Sequence, residues 1–354
     1  MTHVFVAPHP DDVALSCGGL IASLRELGQN VTILTVYSGS GGEVGGREAL
    51  GFGTKAVWPV TEAFNRSHLI ADYPEDSSAA PWQASKEGLE ATQSDADAAA
   101  KRFWQRSSWY RRANIHNESL AGQAVIDDLP TQGAVLTSER VDAADAGDQL
   151  ATRRLEDERY AAFAEVSMVW LDLPDAVYRG YEGDDQLLGA PRDGDAAPVD
   201  LLRREINRLE PQRVYLPLAV GGHVDHRLTR DAGTALLHDA RRWVMPGPEY
   251  VGRIAYYEDF PYAWWDEFTR IEDLPGGGLP GLPEGVSVAP EFADISDQVE
   301  RKIRGIALYE SQVGRLFSDT KAMGSAVRSH AIRIADLGRV PNGLAERYWV
   351  TTPA

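Results

Sequence analysis

The chain contains a single cysteine, Cys17, among its 354 residues. One cysteine cannot form an intramolecular disulfide, and it excludes every zinc site built from several cysteines. If the protein binds a metal ion, histidine, aspartate or glutamate side chains must therefore supply the ligands.

Long hydrophobic runs are missing as well. No apolar run approaches the roughly 18 residues that a helix needs to cross a bilayer. The first residues read as a strand and lack the basic and apolar regions of a signal peptide. The sequence therefore predicts a cytoplasmic protein with no membrane span.

Positive charge is scarce. Thirty-five Lys and Arg residues stand against 53 Asp and Glu residues, which gives a formal net charge of −18. A field of this sign repels nucleic acid and anionic membrane surfaces. Polyanionic partners are therefore not expected.

Hydrophobic residues make up 43% of the chain, which is enough for a sizeable core. The pattern predicts a strand over Val4 to Pro8, a helix over Cys17 to Leu27 and a second buried strand over Val31 to Tyr37. A strand, a helix and a strand joined by short connections are typical of a parallel α/β sheet. In such sheets, the loops at the carboxyl ends of the strands carry the chemistry.

The same alternation returns later in the chain. Helices are predicted over 152–166, 199–209, 227–241 and 297–317, and strands over 168–171, 214–218 and 253–257. Between about 53 and 149 no strand is convincing, and we interpret this stretch as a largely helical or irregular insertion. The prediction is one α/β domain spanning 1–354, with a mostly parallel sheet and helices on both of its faces.

Two polar clusters follow predicted strands. His9-Pro10-Asp11-Asp12 comes directly after the first strand, and His223-Val224-Asp225-His226 follows the strand over 214–218. Both clusters therefore lie at carboxyl ends of strands. A zinc ion bound by three protein groups keeps a fourth position for water, and imidazole and carboxylate groups suit it as ligands.

The spacing within the clusters suggests roles. On a tight turn, His9 and Asp12 can point to one side while Asp11 points elsewhere. With His226 as the third ligand, Asp11 is left to take a proton from the metal-bound water.

The remaining polar residues of the second cluster fit the other steps of amide hydrolysis. His223 can polarise the reacting carbonyl or protonate the leaving amine, and Asp225 can orient that imidazole. The alternative is structural, because Asp11 and Asp12 are also suited to cap the following helix, where carboxylates favour the positive end of the dipole. Two such clusters at strand ends favour the catalytic interpretation.

These motifs resemble the PIG-L or LmbE-like deacetylases, which are zinc-dependent hydrolases of N-acetylglucosamine conjugates and related amides. The family hallmarks are His-Pro-Asp-Asp after the first strand and a later His-x-Asp-His. The resemblance implies a three-layer, Rossmann-like sheet. It also implies roles for six residues: His9, Asp12 and His226 as zinc ligands, Asp11 as general base, and His223 as transition-state stabiliser and acid with Asp225 behind it.

Further matches cover parts of 1–52 and 150–320. Arg153 to Glu156 is similar to an arginine-and-glutamate helix start of the family, and Tyr309 to Gln312 is similar to a late Ser-Gln segment. Val13 is a departure, since many members carry Glu directly after the two aspartates. Glu43, on a glycine-rich loop, and Arg154 are the polar groups predicted nearest a bound sugar. The alternative for both is a solvated surface charge.

The leading hypothesis is a metal-dependent hydrolase that removes an acetyl or short acyl group from an N-acylated amino-sugar conjugate. Zn²⁺ is the expected cofactor, although the same ligands accept Fe²⁺, Co²⁺ or Mn²⁺. The expected partner is a small amino-sugar or glycoconjugate substrate, and a homo-oligomer is possible.

Three alternatives stay open. One keeps the site but changes the substrate to the amide of a thiol-sugar conjugate or to an acylated secondary metabolite. Another is a catalytically silent carbohydrate-binding protein. A third, nucleotide binding, is disfavoured because the glycine run over 39–46 lacks the dinucleotide spacing and follows the second strand instead of the first.

Overall fold

The computed structural model describes residues 1–39, 143–239, 252–265, 269–274, 278–340 and 343–354. Within these ranges the strands are β1 (Thr2–Ala7), β2 (Asn30–Thr35), β3 (Ser167–Trp170), β4 (Arg213–Pro217), β5 (Ile254–Tyr257), β6 (Val286–Asp294) and β7 (Ala345–Pro353). The α-helices are α1 (Asp12–Glu26), α2 (Ala143–Ala164), α3 (Gly183–Leu187), α4 (Val199–Leu209), α5 (Val224–Ala235), α6 (Tyr262–Trp265), α7 (Val299–Ile306), α8 (Glu310–Leu316) and α9 (Thr320–Gly338).

The strands form one sheet in the order β3-β2-β1-β4-β5-β7-β6. The first five strands of this order pair in parallel. β7 pairs antiparallel with β5, and β6 pairs antiparallel with β7. The predicted mostly parallel α/β sheet is confirmed.

Both faces of the sheet are covered by helices. In β1, Val4 and Val6 pack into one core cluster, while Phe5 and Ala7 pack into another, as alternating side chains of a strand must. The first cluster includes residues of α4 and α5, and the second includes residues of α1 and α2. A strand buried on both faces is mostly apolar, which explains the hydrophobic run from Val4 to Ala7 in β1.

Helix α1 begins at Asp12, five positions earlier than predicted. Val13 is buried at its start and packs in the same cluster as Phe5, so an apolar residue fits where the family commonly has Glu. Gly19 lies in the middle of this helix, where an added Cβ would come within 2.6 Å of the Ile295 side chain. Glycine at this position allows close packing of the helix against the rest of the core.

The C-terminal part differs most from the prediction. The prediction of a single helix over 297–317 is wrong, because the chain forms two helices there, α7 and α8, with a break between them. Tyr309 is the N-cap residue of α8. β6, β7 and α9 were not predicted. β6 is a partly exposed edge strand that contains Pro290, and its pattern is therefore weak in sequence.

The predicted insertion at about 53–149 and the predicted sugar contact Glu43 lie outside the described residues, apart from 143–149, which belong to the start of α2. The single-domain organisation stays a prediction. Among the described helices, none combines the length and the apolar character that crossing a membrane requires.

Candidate active site

The two polar clusters meet at one edge of the sheet. β1 and β4 are parallel neighbours, paired from His3 with Arg213 to Phe5 with Tyr215. Their carboxyl ends therefore lie side by side. The ring centre of His9 is 5.0 Å from that of His223 and 5.4 Å from that of His226, so residues more than 200 positions apart in sequence are in contact.

Asp12 lies between two imidazoles. Its Oδ2 is 3.3 Å from Nδ1 of His9 and 3.4 Å from Nε2 of His226. Two ligands of a tetrahedral zinc ion with bonds of about 2.0–2.1 Å are about 3.3–3.4 Å apart, so the separations of Asp12 from each of the two histidines match those of ligand pairs on such an ion. Burial alone would raise the pKa of Asp12, but His226 and His9 lower it to about 2, which keeps the carboxylate ionised.

The other nitrogen of each imidazole faces a buried carboxylate. Nε2 of His9 is 2.9 Å from Oδ2 of Asp225, and Nδ1 of His226 is 2.6 Å from Oδ1 of Asp259. Burial alone would lower the pKa of both histidines, but the carboxylates raise it, with Asp175 the strongest influence on His9 and Asp12 on His226. The surroundings of the two rings therefore favour positive charge, as a cation site requires.

Further candidate ligand atoms lie on both sides of the His9 ring. Within the described part of the chain, atoms of His9, His223 and His226 lie within 4.8 Å of one another, and so do atoms of His9, Asp175 and Asp225. Asp175 and Asp259 were not predicted as site residues. Each follows the carboxyl end of a parallel strand, β3 or β5, and this position was the signal that could have identified them.

Asp11 has an unusual backbone conformation, with φ of 90°. A non-glycine residue in this region costs about 1–3 kcal/mol, and such strain clusters at functional sites. Its side chain makes no capping hydrogen bond to α1, so Asp11 is not the helix cap that the structural alternative predicts. Oδ1 of Asp11 lies 3.4 Å from Nη2 of Arg153, which also donates to the Pro10 carbonyl. Burial raises the pKa of Asp11 to about 7 against the opposing effect of Arg153.

His223 is the N-cap residue of α5, and its Nδ1 accepts the backbone N–H of Asp225 at 3.3 Å. In the neutral ring the proton must then be on Nε2, which is free to act as a donor. Burial lowers the pKa of His223 well below its usual value, and His9 and His226 add to the effect. The ring is therefore a neutral hydrogen-bond donor.

The Asp225 carboxylate is completely buried. It accepts hydrogen bonds from His9, from the Ala176 backbone N–H at 2.9 Å and from Nη2 of Arg179 at 2.6 Å. The expected contact between this carboxylate and the His223 imidazole is not among its described hydrogen bonds. The reason is the start of helix α5. There the backbone N–H of Asp225 donates to Nδ1 of His223, whereas the Asp225 side chain extends toward His9.

The predicted sugar contact Arg154 is engaged elsewhere. Its guanidinium pairs with the Asp172 carboxylate and lies 4.5 Å from the ring centre of Trp170. Arg153 contacts the site instead, because successive residues of a helix point about 100° apart. The structure thus places Arg153 beside Asp11, while the role of Arg154 as a sugar contact stays a prediction.

The two further segments that resemble the family pack against each other next to this site. Glu156 accepts hydrogen bonds from the backbone N–H and the hydroxyl of Ser311, at 2.8 and 2.6 Å. Asp157 accepts from the Tyr309 hydroxyl at 2.8 Å. These carboxylates are buried, so the segments form a structural joint between α2 and α8.

The side of Asp11 that faces α8 is closely packed. The residues around it there are mainly apolar: Leu15, Ile306, Tyr309, Gln312, Val313, Leu316 and Phe317. They leave no space the size of a water molecule, and they contribute to the burial of the Asp11 carboxyl group.

Comparison with known protein families agrees with this geometry. The family model described as PIG-L, GlcNAc-PI de-N-acetylase, matches residues 4–62, a range that includes the turn from His9 to Asp12. The predicted resemblance to PIG-L or LmbE-like proteins is confirmed. The chain is also 25% identical over 370 residues to a 2'-N-acetylparomamine deacetylase of Streptomyces fradiae, with 99% of this chain and 90% of the relative covered.

Solved structures share the fold. A teicoplanin deacetylase in a zinc-inhibited form has 20% identity and a TM-score of 0.54, covering 100% of this chain and 99% of that one. A pseudoaglycone deacetylase has 20% identity and a TM-score of 0.52, covering 99% and 97%. The α/β fold of the chain is thus that of known deacetylases.

Proposed function

We propose that the protein is a metal-dependent hydrolase that removes an acetyl or other short acyl group from an N-acylated amino-sugar conjugate. The observation that carries this proposal is the position of Asp12 between the nitrogens of His9 and His226, with Asp11 beside them and not used as a helix cap. The cytoplasm stays the proposed location.

His9, Asp12 and His226 would hold the divalent ion, and Zn²⁺ is the ion we expect. Such an ion polarises the amide carbonyl and makes a water molecule more acidic. Nδ1 of His9 and Nε2 of His226 are the nitrogens that face Asp12, so each ring has its second nitrogen available for a carboxylate partner.

Asp11 acts as the general base. Its carboxylate takes a proton from the attacking water as the oxygen of that water forms a bond to the acyl carbon. Arg153 lies 3.4 Å from one carboxylate oxygen, which helps to hold the group in place.

His223 acts on the carbonyl oxygen. Its Nδ1 accepts a backbone N–H, so the Nε2–H donates to the negative charge that develops when the water attacks. When the carbon–nitrogen bond breaks, the leaving amine takes the proton that Asp11 accepted from the water, which returns Asp11 to its carboxylate form. A neutral His223 has only its Nε2–H to give, so it stabilises charge and does not supply this proton. Asp225 accepts a hydrogen bond from Nε2 of His9 and thereby orients this proposed metal ligand.

The proposed substrate class is supported by the similarity to a 2'-N-acetylparomamine deacetylase. Glu43 and Arg154 stay the predicted sugar contacts. A thiol-sugar amide or an acylated secondary metabolite would use the same chemistry, and a panel of N-acyl substrates distinguishes among them.

The experiment is to incubate the purified protein with N-acetylated amino sugars and aminoglycosides and to measure free acetate and free amine. We expect equal amounts of both products, loss of activity after dialysis against a chelator, and recovery when a divalent ion is added. Protein that binds sugars and metal but releases no acetate from any substrate would instead support the silent carbohydrate-binding alternative.

A further inference from the structure

A carboxylate outside both predicted clusters holds one of the histidines. Asp259 follows β5, and its side chain is 1% exposed. Oδ1 lies 2.6 Å from Nδ1 of His226, and Oδ2 accepts the backbone N–H of Val220 at 2.9 Å. Because each oxygen has its own partner, the carboxylate is fixed between the end of β4 and helix α5.

This contact determines which nitrogen of His226 is available. An ionised carboxylate can accept a hydrogen bond but cannot donate one, so the proton of a neutral ring lies on Nδ1. The lone pair is then on Nε2, the nitrogen that lies 3.4 Å from Asp12. The same hydrogen bond fixes the plane of the ring.

We propose that Asp259 is a positioning residue that orients His226 and sets its tautomer for binding the divalent ion. The inference rests on the proposed function, since it concerns the same ion. A carboxylate behind a histidine ligand raises the basicity of that ligand, and loss of such a partner typically weakens metal binding by about 10–100-fold.

The preceding residue offers a matched control. Glu258 is also a buried carboxylate at the end of β5, but it faces the opposite side, where it accepts hydrogen bonds from Arg347 and from Nε1 of Trp349 at 2.9 Å. It contacts none of the site histidines through its described hydrogen bonds. A change at Glu258 therefore tests the effect of removing a buried charge at this strand end without disturbing His226.

The experiment compares full-length wild type, Asp259→Asn, Asp259→Glu and Glu258→Gln. Each apoprotein is titrated with Zn²⁺ against a competing chelator, the visible spectrum of bound Co²⁺ is recorded, and unfolding in urea is measured. We expect Asp259→Asn to bind Zn²⁺ about 10–100-fold more weakly with an altered Co²⁺ spectrum. Asp259→Glu keeps the charge and should lose less affinity. Glu258→Gln should keep the wild-type affinity and spectrum while unfolding at lower urea concentration.

The possible results separate the two proposals. Wild-type affinity in Asp259→Asn, or equal weakening in Asp259→Asn and Glu258→Gln, would overturn the role of Asp259 while leaving the hydrolase proposal intact. A wild-type protein that binds no divalent ion would overturn both. If Asp259→Asn fails to fold, Asp259→Glu decides, because the added methylene shifts the carboxylate away from Nδ1 of His226. Weaker Zn²⁺ binding with an altered Co²⁺ spectrum supports the proposal, and wild-type affinity with an unchanged spectrum contradicts it.

Discussion

The candidate active site and the far side of helix α1 both bury carboxylates, but they do so differently. On the far side, Glu346 accepts hydrogen bonds from the backbone N–H groups of Gly19 and Leu20, both at 2.9 Å, and from Lys302 and the Tyr348 hydroxyl, both at 2.7 Å. Every distance is that of a direct hydrogen bond. The Glu346 network is closed, with its one negative charge matched by one ammonium group.

In the active site, Asp12 faces the ring nitrogens of His9 and His226 at 3.3 and 3.4 Å, which is longer than an ordinary charged hydrogen bond. Several carboxylates converge on these rings, whereas Arg153 and Arg179 are the guanidinium groups with described contacts to those carboxylates. Other contacts of the site do close at direct hydrogen-bond distance, such as that between His226 and Asp259 at 2.6 Å. The wider separation is therefore confined to the side chains that are proposed to share a cation.

The largest effect should come from the base in the active site. Asp11→Asn removes proton transfer while retaining size and polarity, so kcat should fall by about 10²–10⁴-fold. Zn²⁺ affinity should stay close to that of wild type, because Asp11 is not one of the three proposed ligands. Steady-state kinetics and metal analysis on the same preparation check this result, and a metal-replete variant with full activity would refute the role.

The next largest effect should come from the closed network. Glu346→Gln leaves the Lys302 ammonium buried without its counter-charge, and breaking a buried pair in this way typically costs about 3–5 kcal/mol. We expect the free energy of unfolding in urea to fall by that amount, with kcat of the remaining folded enzyme unchanged.

A double variant provides the control for this pair. Adding Lys302→Met to Glu346→Gln removes the unpaired charge, so the double variant should be more stable than Glu346→Gln alone. If the effects of the two substitutions on the free energy of unfolding are additive, the ion pair does not contribute the stability assigned to it.

A smaller effect concerns Asp157, in the structural joint between α2 and α8. Burial raises the pKa of Asp157 from 3.8 to about 6, against the opposing hydrogen bonds from Trp170 and Tyr309. Because the folded-state pKa is higher than the unfolded value, the folded protein binds more protons between these two pH values. The stabilisation associated with this proton is present below about pH 4 and is lost as the pH rises through 6.

Asp157→Asn cannot titrate and serves as the reference. Relative to wild type, the variant should become more stable by up to about 3 kcal/mol as the pH rises from 4 to 7. Urea unfolding of both proteins at several pH values measures this difference. A difference that is constant with pH would show that folding leaves the pKa of Asp157 unchanged, and a change in the opposite direction would show that folding lowers it.

The smallest effect should be seen at the helix surface. Arg154 pairs with Asp172, and both side chains are partly exposed, so Arg154→Ala should lower the free energy of unfolding by less than about 1 kcal/mol. The same variant tests the predicted sugar contact through KM. An unchanged KM would assign Arg154 to the surface pair with Asp172, and a higher KM would support substrate contact.

Local patterns in the sequence predicted the parallel half of the fold well. Buried parallel strands such as β1 are uninterrupted apolar runs, and α4 was predicted with its observed bounds, Val199–Leu209. β6 and β7 were missed because their pairing joins residues about 50 to 70 positions apart and because an edge strand lacks a continuous apolar pattern.

The candidate site was predictable where residues follow strands as a motif. The grouping of His9, Asp12 and His226 follows from two clusters at adjacent strand ends. Side-chain direction was not predictable, because the choice between Arg153 and Arg154 depends on the exact rotation of α2, and the direction of Asp225 depends on how α5 begins.

The sheet order has a consequence for the order of events during synthesis. β1 is made before β4 and β5, yet its carboxyl end is completed by the loops that follow those two strands. About 250 residues separate His9 from Asp259, and a ribosome adding about 5–20 residues per second needs about 12–50 s to make them. During that interval the newly made chain carries His9 and Asp12 without the residues that would complete their proposed cation site. The proposed site is therefore assembled only after β5 has been made.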